Sequence, residues 1–461
     1  MNTLRAHALI LGSGPAGMFA ADALLQAGVT DIVLLERGRS MPKRTCPPGP
    51  ACDCRTCDVL EGEGGAGSFS DGKITLSAVR GTHAQQLFTD DQAALLTHVE
   101  ATVRQHVSVG IDYAPVPTLS ALVGQPGLRG ESYPLLHVGS DGVREFGDRF
   151  CANLQRRGLR MMMGWEATGL IVEQSIVRGA LARDRHGEVI PVEADAVIAA
   201  VGMVGTPWLE RQLRAAGVDL ATGPADLGIR LETSAAALDP LISEFYDFKA
   251  LHTSADGISV RSFCVNGHGF IVNEYHRPLG IRGVNGHSFL RQGSNLSNLA
   301  ILATIDTGFT ADPKHYVRTL AGQINAAGDG YPIRQTLREF MPDTANVRPL
   351  GVVASNPKTR PGNLRAALPA PLADAFTSYI TALGAALPPV LAPDTVLYAP
   401  EIKYYNYRVP IDPRTWESLD LPGLYVVGNA AGYTASLSAA ALSGLIAGQA
   451  IADRVTRSAA R

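Results

Sequence analysis

An α/β fold with a parallel sheet, interrupted by an inserted α+β domain, is what this sequence predicts, and three observations predict it. An apolar run, Ala8-Leu9-Ile10-Leu11, closes on the pattern G-x-G-x-x-G at Gly12, Gly14 and Gly17. A second apolar run, Ile32-Val33-Leu34-Leu35, ends in the acid Glu36. Near the other end, Leu424-Tyr425-Val426-Val427 leads into a glycine turn and a long helical stretch from about Ser436 to Arg454.

Each part of the first motif has a physical task. Gly12 allows a tight turn, Gly14 lets a pyrophosphate approach the backbone, and Gly17 lets helix and strand pack closely. A helix from Ala16 to about Gly28, preceded by Ser13 and Pro15, offers free N–H groups and a positive dipole end to phosphates. Glu36 falls about 20 residues past the glycines, where a carboxylate accepts hydrogen bonds from ribose hydroxyls. The alternative is a glycine-rich turn in some other α/β fold. The acid argues against NADP, whose 2′-phosphate would face it, and leaves NAD or FAD.

Composition narrows the class. A chain of 461 residues exceeds one ordinary core, so two or three domains are expected. Hydrophobic residues make up 46% and charged residues 18%, as in a folded soluble protein. A net charge of −3 gives no electrostatic case for nucleic acid or a membrane surface. No apolar run approaches the ~18 residues of a membrane helix, and the N-terminus has no secretion-signal layout, so a cytoplasmic location is expected. Oligomeric state is left open.

Four of the six cysteines cluster in a Pro/Gly-rich loop at Cys46, Cys52, Cys54 and Cys57. Their spacing matches no zinc ribbon or ferredoxin run, so no metal is assigned. Plain loop thiols, a metal site and a dithiol pair working with the cofactor all remain open.

The next segment runs Gly62-Glu63-Gly64-Gly65-Ala66-Gly67-Ser68-Phe69-Ser70-Asp71-Gly72-Lys73. Small residues there permit close approach to a flat cofactor, and Lys73 brings a cation suited to negative charge on a reduced ring. This segment resembles the G-G-A-G-x-F-S-D-G-K signature of a poorly characterised family of FAD-dependent dehydrogenases, related to two-dinucleotide-binding-like flavoproteins.

The resemblance continues along most of the chain, weakest over about 83–135. A helix to about Arg157, a strand over 161–168, alternating strands over 169–183 and 188–192, and a buried strand, Asp195–Gly202, resemble the β-meander and second glycine turn of such flavoproteins. The methionines at 161–163 read as core filler. Asp226-Leu227-Gly228-Ile229-Arg230-Leu231-Glu232 resembles the connection into a substrate domain. Gly428-Asn429-Ala430 resembles the C-terminal flavin motif, in which an acid holds a ribityl hydroxyl. Here that position is Asn429, and Gly432-Tyr433-Thr434-Ala435-Ser436-Leu437 replaces a smaller-residue turn. A dinucleotide motif at each end of the chain selects FAD over NAD.

These expectations define a domain map. Residues 1–82, 136–234 and 396–461 are assigned to a Rossmann-like FAD-binding domain, and 83–135 and 235–395 to a substrate or cap domain. The expected cofactor set is Gly12, Ser13, Gly14, Pro15, Ala16, Gly17, Glu36, Arg37, Gly65, Ala66, Ser68, Asp71, Gly72, Lys73, Ala167, Ala200, Val201, Gly202, Gly428, Asn429, Ala430, Ser436 and Leu437. Candidate catalytic residues are Lys73, Tyr405, Tyr407, Arg408 and His268, with Tyr404 and His287 as further possibilities; a Tyr-rich core strand is the plainer reading of 404–408. The expected activity is hydride removal from a small organic substrate at a C–N or C–C bond. An FAD monooxygenase or ene-reductase using NAD(P)H, and a non-catalytic redox sensor using the cysteine cluster, are the alternatives.

Overall fold

The computed structural model describes residues 3–46, 52, 54, 56–77, 87–114, 127–342, 347–403 and 407–459. Leu4–Leu11 forms the centre of a first sheet, with Ile32–Glu36 parallel on one side and Val189–Ala199 parallel on the other. Arg160–Met163 extends the sheet beyond Ile32–Glu36, and Leu424–Val426 pairs in parallel with Val197–Ala199. Ile176–Arg183 and Glu166–Glu173 continue it as an antiparallel meander. All five residues of Ile32–Glu36 are buried, as a parallel strand covered on both faces requires. Helix Pro15–Gln26 starts with proline, whose missing N–H lies where a helix end has no partner anyway. It packs, with helix Leu437–Ala459, into the same apolar core. A Cβ on Gly17 would lie 2.0 Å from the Gly12 carbonyl oxygen, so this glycine lets the helix seat on the turn.

A second, mostly antiparallel sheet runs in the order Arg360–Pro361, Ile333–Thr336, Val396–Lys403, Ala225–Ser234, Leu296–Ile305, Ser259–Asn266, Lys249–Thr253, Arg129–Glu131. Its central strand alternates strictly. Ala225, Leu227, Ile229 and Leu231 enter a core with Phe376, Tyr379 and Ile380 of helix Ala370–Ala386. Asp226, Arg230 and Glu232 occupy the opposite face, also buried.

That alternation corrects the domain map. Ala225–Ser234 and Val396–Lys403 were expected in the FAD-binding domain, yet they pair with each other inside the second sheet. Their apolar side chains complete the second core and not the first. The segment 83–135 is divided too: Leu87, Val99 and Val103 pack in the first core, while Arg129–Glu131 edges the second sheet. Among the described residues no helix is long and apolar enough to cross a membrane.

Candidate active site

A cavity of about 720 Å³ lies where the two sheets meet. One end is walled by the turn after the first strand, Gly12 to Ala16, with Glu36, Arg37, Gly62, Gly65 and Ala66. Gly14 and Gly65 face each other: a Cβ on Gly65 would come within 2.6 Å of Gly14 Cα. A Cβ on Gly14 would meet nothing closer than Gly65 Cα at 3.9 Å, so only the lack of a side chain keeps this slot open.

Glu36 organises the slot. Its carboxylate accepts from Ser13 N at 3.0 Å, Ser13 Oγ at 2.8 Å, Gly38 N at 2.8 Å and Gly62 N at 3.1 Å. Four donors fill the usual capacity of a carboxylate, so a ribose hydroxyl gains a place only by displacing one. Ser13 Oγ is the replaceable one, because the Gly62 carbonyl oxygen lies 3.2 Å away as an alternative acceptor.

Farther along, Ala200, Val201, Gly202, Gly428, Asn429, Thr434, Ser436 and Leu437 line the wall. Asn429 Nδ2 donates to the Thr434 carbonyl oxygen at 3.2 Å. Its Oδ1, and Thr434 Oγ1, are buried without a hydrogen-bond partner among the described residues. An orphaned acceptor on a cavity wall is costly unless a ligand donates to it. It sits where the flavin motif places a ribityl contact, so the residues present fit FAD.

The other end is walled by side chains from the second sheet and from the small sheet that pairs Lys73–Thr75 with Leu135–His137. Lys73 lies 2.9 Å from Asp71 Oδ2 and 3.7 Å from Asp247 Oδ1, and it donates to the Val265 carbonyl oxygen. Burial opposes the ammonium charge, but Asp247 and Asp71 outweigh it and hold the Lys73 pKa above its ordinary value. Burial likewise opposes the Asp71 charge; Lys73 outweighs it and brings the pKa down to about 2. Asp247 also accepts from Tyr133 Oη and from Val265 N at 3.1 Å. His137 stacks on Tyr246 at 4.0 Å, and burial with the Lys73 charge lowers its pKa to about 4. Arg230 is fully buried and grips Glu401 with two bonds of 2.6 and 2.7 Å.

Not every expected residue reaches the cavity. Ala167 and Arg37 line it beside Trp165 and Glu166. Gly17 is behind the turn, and Ala430 is fully buried in the first core. Ser68 turns away to donate to the Gly64 carbonyl oxygen at 3.2 Å, and Gly72 is pressed against the Gly139 backbone. His268 points outward, 53% exposed at its side chain, with Nε2 3.2 Å from Asp239. Tyr407 is covered by Lys314 at 3.7 Å and Arg214 at 4.8 Å, and the Arg408 backbone bridges to Ala221. Neither Tyr407 nor Arg408 lines the cavity, because this segment is drawn onto the outer helices. His287 is buried away from it. Tyr404 and Tyr405 lie outside the described residues.

Sequence reasoning missed Asp247, Lys249, Phe263, Cys264, Glu274 and Lys403, all on the cavity wall. No local pattern marks these positions; the polar–apolar alternation of 226–232 marks only a buried polar face on the neighbouring strand. Around the cysteine cluster, Cys46 Sγ lies 3.0 Å from Lys358 Nζ, and burial pushes the Cys57 thiol up to about 12. Among the described residues no group of His, Cys, Asp or Glu converges as a metal site.

Residues 5–217 match the FAD binding domain family. A protein of Clostridium beijerinckii, described only as uncharacterized, is 45% identical over 76 residues, 16% of this chain and 14% of its own length. The fold is similar to a geranylgeranyl bacteriochlorophyll reductase-like protein of Thermoplasma acidophilum, with 13% identity, 99% of this chain, 80% of that chain and a TM-score of 0.47. It is also similar to a 3-ketosteroid-Δ4-(5α)-dehydrogenase of Rhodococcus jostii, with 13% identity, 97% of each chain and a TM-score of 0.43. Both likenesses are remote. The glycine slot, the orphaned Asn429 acceptor and the family match define a flavoprotein whose cofactor is FAD.

Proposed function

We propose that this flavoprotein is an FAD-dependent oxidoreductase, a dehydrogenase or oxidase that removes a hydride from a small organic molecule at a C–N or C–C bond, in keeping with its G-G-A-G-x-F-S-D-G-K resemblance. One observation carries the reading: the cavity is continuous from the glycine slot to the charged face of the second sheet. A cavity of about this size is in the usual range for a ligand site. Bound FAD supplies the electron acceptor, and the protein supplies orientation and electrostatics.

Lys73 is the fixed positive charge at the junction, held by two carboxylates and therefore charged across the working pH range. Tyr133 stays protonated, because burial and the Asp247 charge raise its pKa well above the ordinary value. Burial and Asp71 push the Cys264 thiol up to about 12, so it is no nucleophile at neutral pH. Substrate is thus positioned by charge and shape, with no covalent bond to this cysteine.

The test is anaerobic mixing of the FAD holoprotein with amines, amino acids and saturated carbonyl compounds. Bleaching of the visible flavin absorption by one class is expected. Bleaching by NADH or NADPH alone would contradict the reading and favour a monooxygenase or ene-reductase.

A further inference from the structure

We propose that the cavity takes an anionic substrate, and that Lys249 and Lys403 anchor its carboxylate beside Phe263; this rests on the functional reading above. Both ammonium groups lie over the Phe263 ring, at 4.2 and 5.6 Å from its centre. All three residues line the cavity. They arrive from three strands of the second sheet: Lys249 begins Lys249–Thr253, Phe263 lies in Ser259–Asn266, and Lys403 ends Val396–Lys403.

The acids around them are already committed. Asp71 pairs with Lys73, and Asp247 serves Lys73, Tyr133 and Val265 N. Glu401 gives both oxygens to Arg230, and Asp226 gives both to Arg261. Glu274 accepts from Asn285 and sits 3.5 Å from His276. What remains for the two lysines is loose. Lys249 Nζ is 4.0 Å from Asp247, and Lys403 Nζ is 3.4 Å from Glu401. Their side chains are only 16% and 17% exposed, so bulk water does little to solvate them.

An ammonium removed from water without close acceptors is destabilised unless an anion meets it. Burial pulls the Lys249 pKa below its ordinary value, whereas at Lys403 burial is outweighed by Glu401 and Glu274, which hold that ammonium charged and ready to meet an anion. Each ammonium carries three donors, and a carboxylate presents two oxygens with about four acceptor sites. The two lysines over one ring therefore match a carboxylate on a small organic acid. The apolar remainder would lie along Phe263 and Leu251.

The experiment titrates the FAD holoprotein with benzoate, phenylacetate and acetate and with the matching amides, reading the perturbation of the flavin absorption. At least one carboxylate should perturb the spectrum saturably, about tenfold or more tightly than its amide. Lys249→Met and Lys403→Met, checked for unchanged flavin content and melting temperature, should each erase that preference. Equal binding of acid and amide, no binding of any acid, or variants that discriminate like the parent would overturn the proposal. The functional reading fails separately, through the anaerobic bleaching panel, which includes amines and carbonyl compounds that carry no carboxylate.

Discussion

The two ends of the cavity are built in opposite ways. The end on the first sheet is mostly backbone: Gly12 to Ala16, Gly65 and Ala66, and Gly202, with its charged groups, Glu36, Arg37, Glu61 and Glu166, at the margin. The other end is side chains: Lys249, Arg261 and Lys403 of the second sheet, with Lys73, Asp247 and Glu274 from the segments packed beside it. A backbone site depends on what is missing, so it fails when any side chain is added. A side-chain site depends on balance, so it fails when one charge is removed. The cofactor half should therefore respond to volume and the substrate half to charge.

Breaking the backbone half most completely takes one substitution at its hinge. Gly17→Val would drive a side chain into the Gly12 carbonyl, 2.0 Å from the first added carbon. We expect a loss of about 4 kcal/mol or more, read as insoluble protein or a collapsed denaturation midpoint. Gly14→Trp separates folding from binding. Its Cβ meets only Gly65 Cα at 3.9 Å, so the chain should fold while the indole fills the pyrophosphate path. The expected outcome is near-normal circular dichroism and no retained flavin; normal flavin content would refute the slot.

The charged half is sharpened by pH. His137 is 1% exposed, and its folded pKa of about 4 lies below its unfolded value of 6.5. The unfolded state therefore binds the proton first. The His137 contribution to stability is full above pH 6.5, falls as pH drops towards about 4, and is lost below that, by about 3 kcal/mol in all. Denaturant titrations across this window should show the decline, and His137→Gln should flatten it. The smallest effect probes the seam between the halves. Asn429→Ala removes the orphaned acceptor, so apo stability should hold or rise slightly. FAD affinity should weaken about tenfold, measured by fluorescence titration.

The same contrast explains what the sequence made legible. The glycine turns, Glu36 and the strands around them are contiguous, and each residue's task follows from local geometry. The charged wall is assembled by pairing of strands far apart in the chain. Lys249 and Lys403 stand beside unremarkable neighbours, and only the sheet order brings them over Phe263. Residues chosen for their chemistry alone misled: His268 faces Asp239 at the surface, and Tyr407 is held by Lys314 and Arg214. The strands at 225–234 and 396–403 stand at the margins of the expected FAD-binding segments, the first resembling a connection into a substrate domain, and their pairing places both within the second sheet.

The central claim is that both halves face one reacting centre, and Lys73 tests it most directly. Lys73→Met removes the fixed cation and leaves Asp71 and Asp247 behind. Its destabilisation, about 3 kcal/mol or more, requires working well below the variant's melting temperature. The measurement is a spectroelectrochemical titration of bound FAD in parent and variant. A lower midpoint potential in the variant is predicted, because negative charge on the reduced ring loses its neighbour. Identical potentials in two fully flavinated proteins would contradict the account, placing the charged wall away from the flavin.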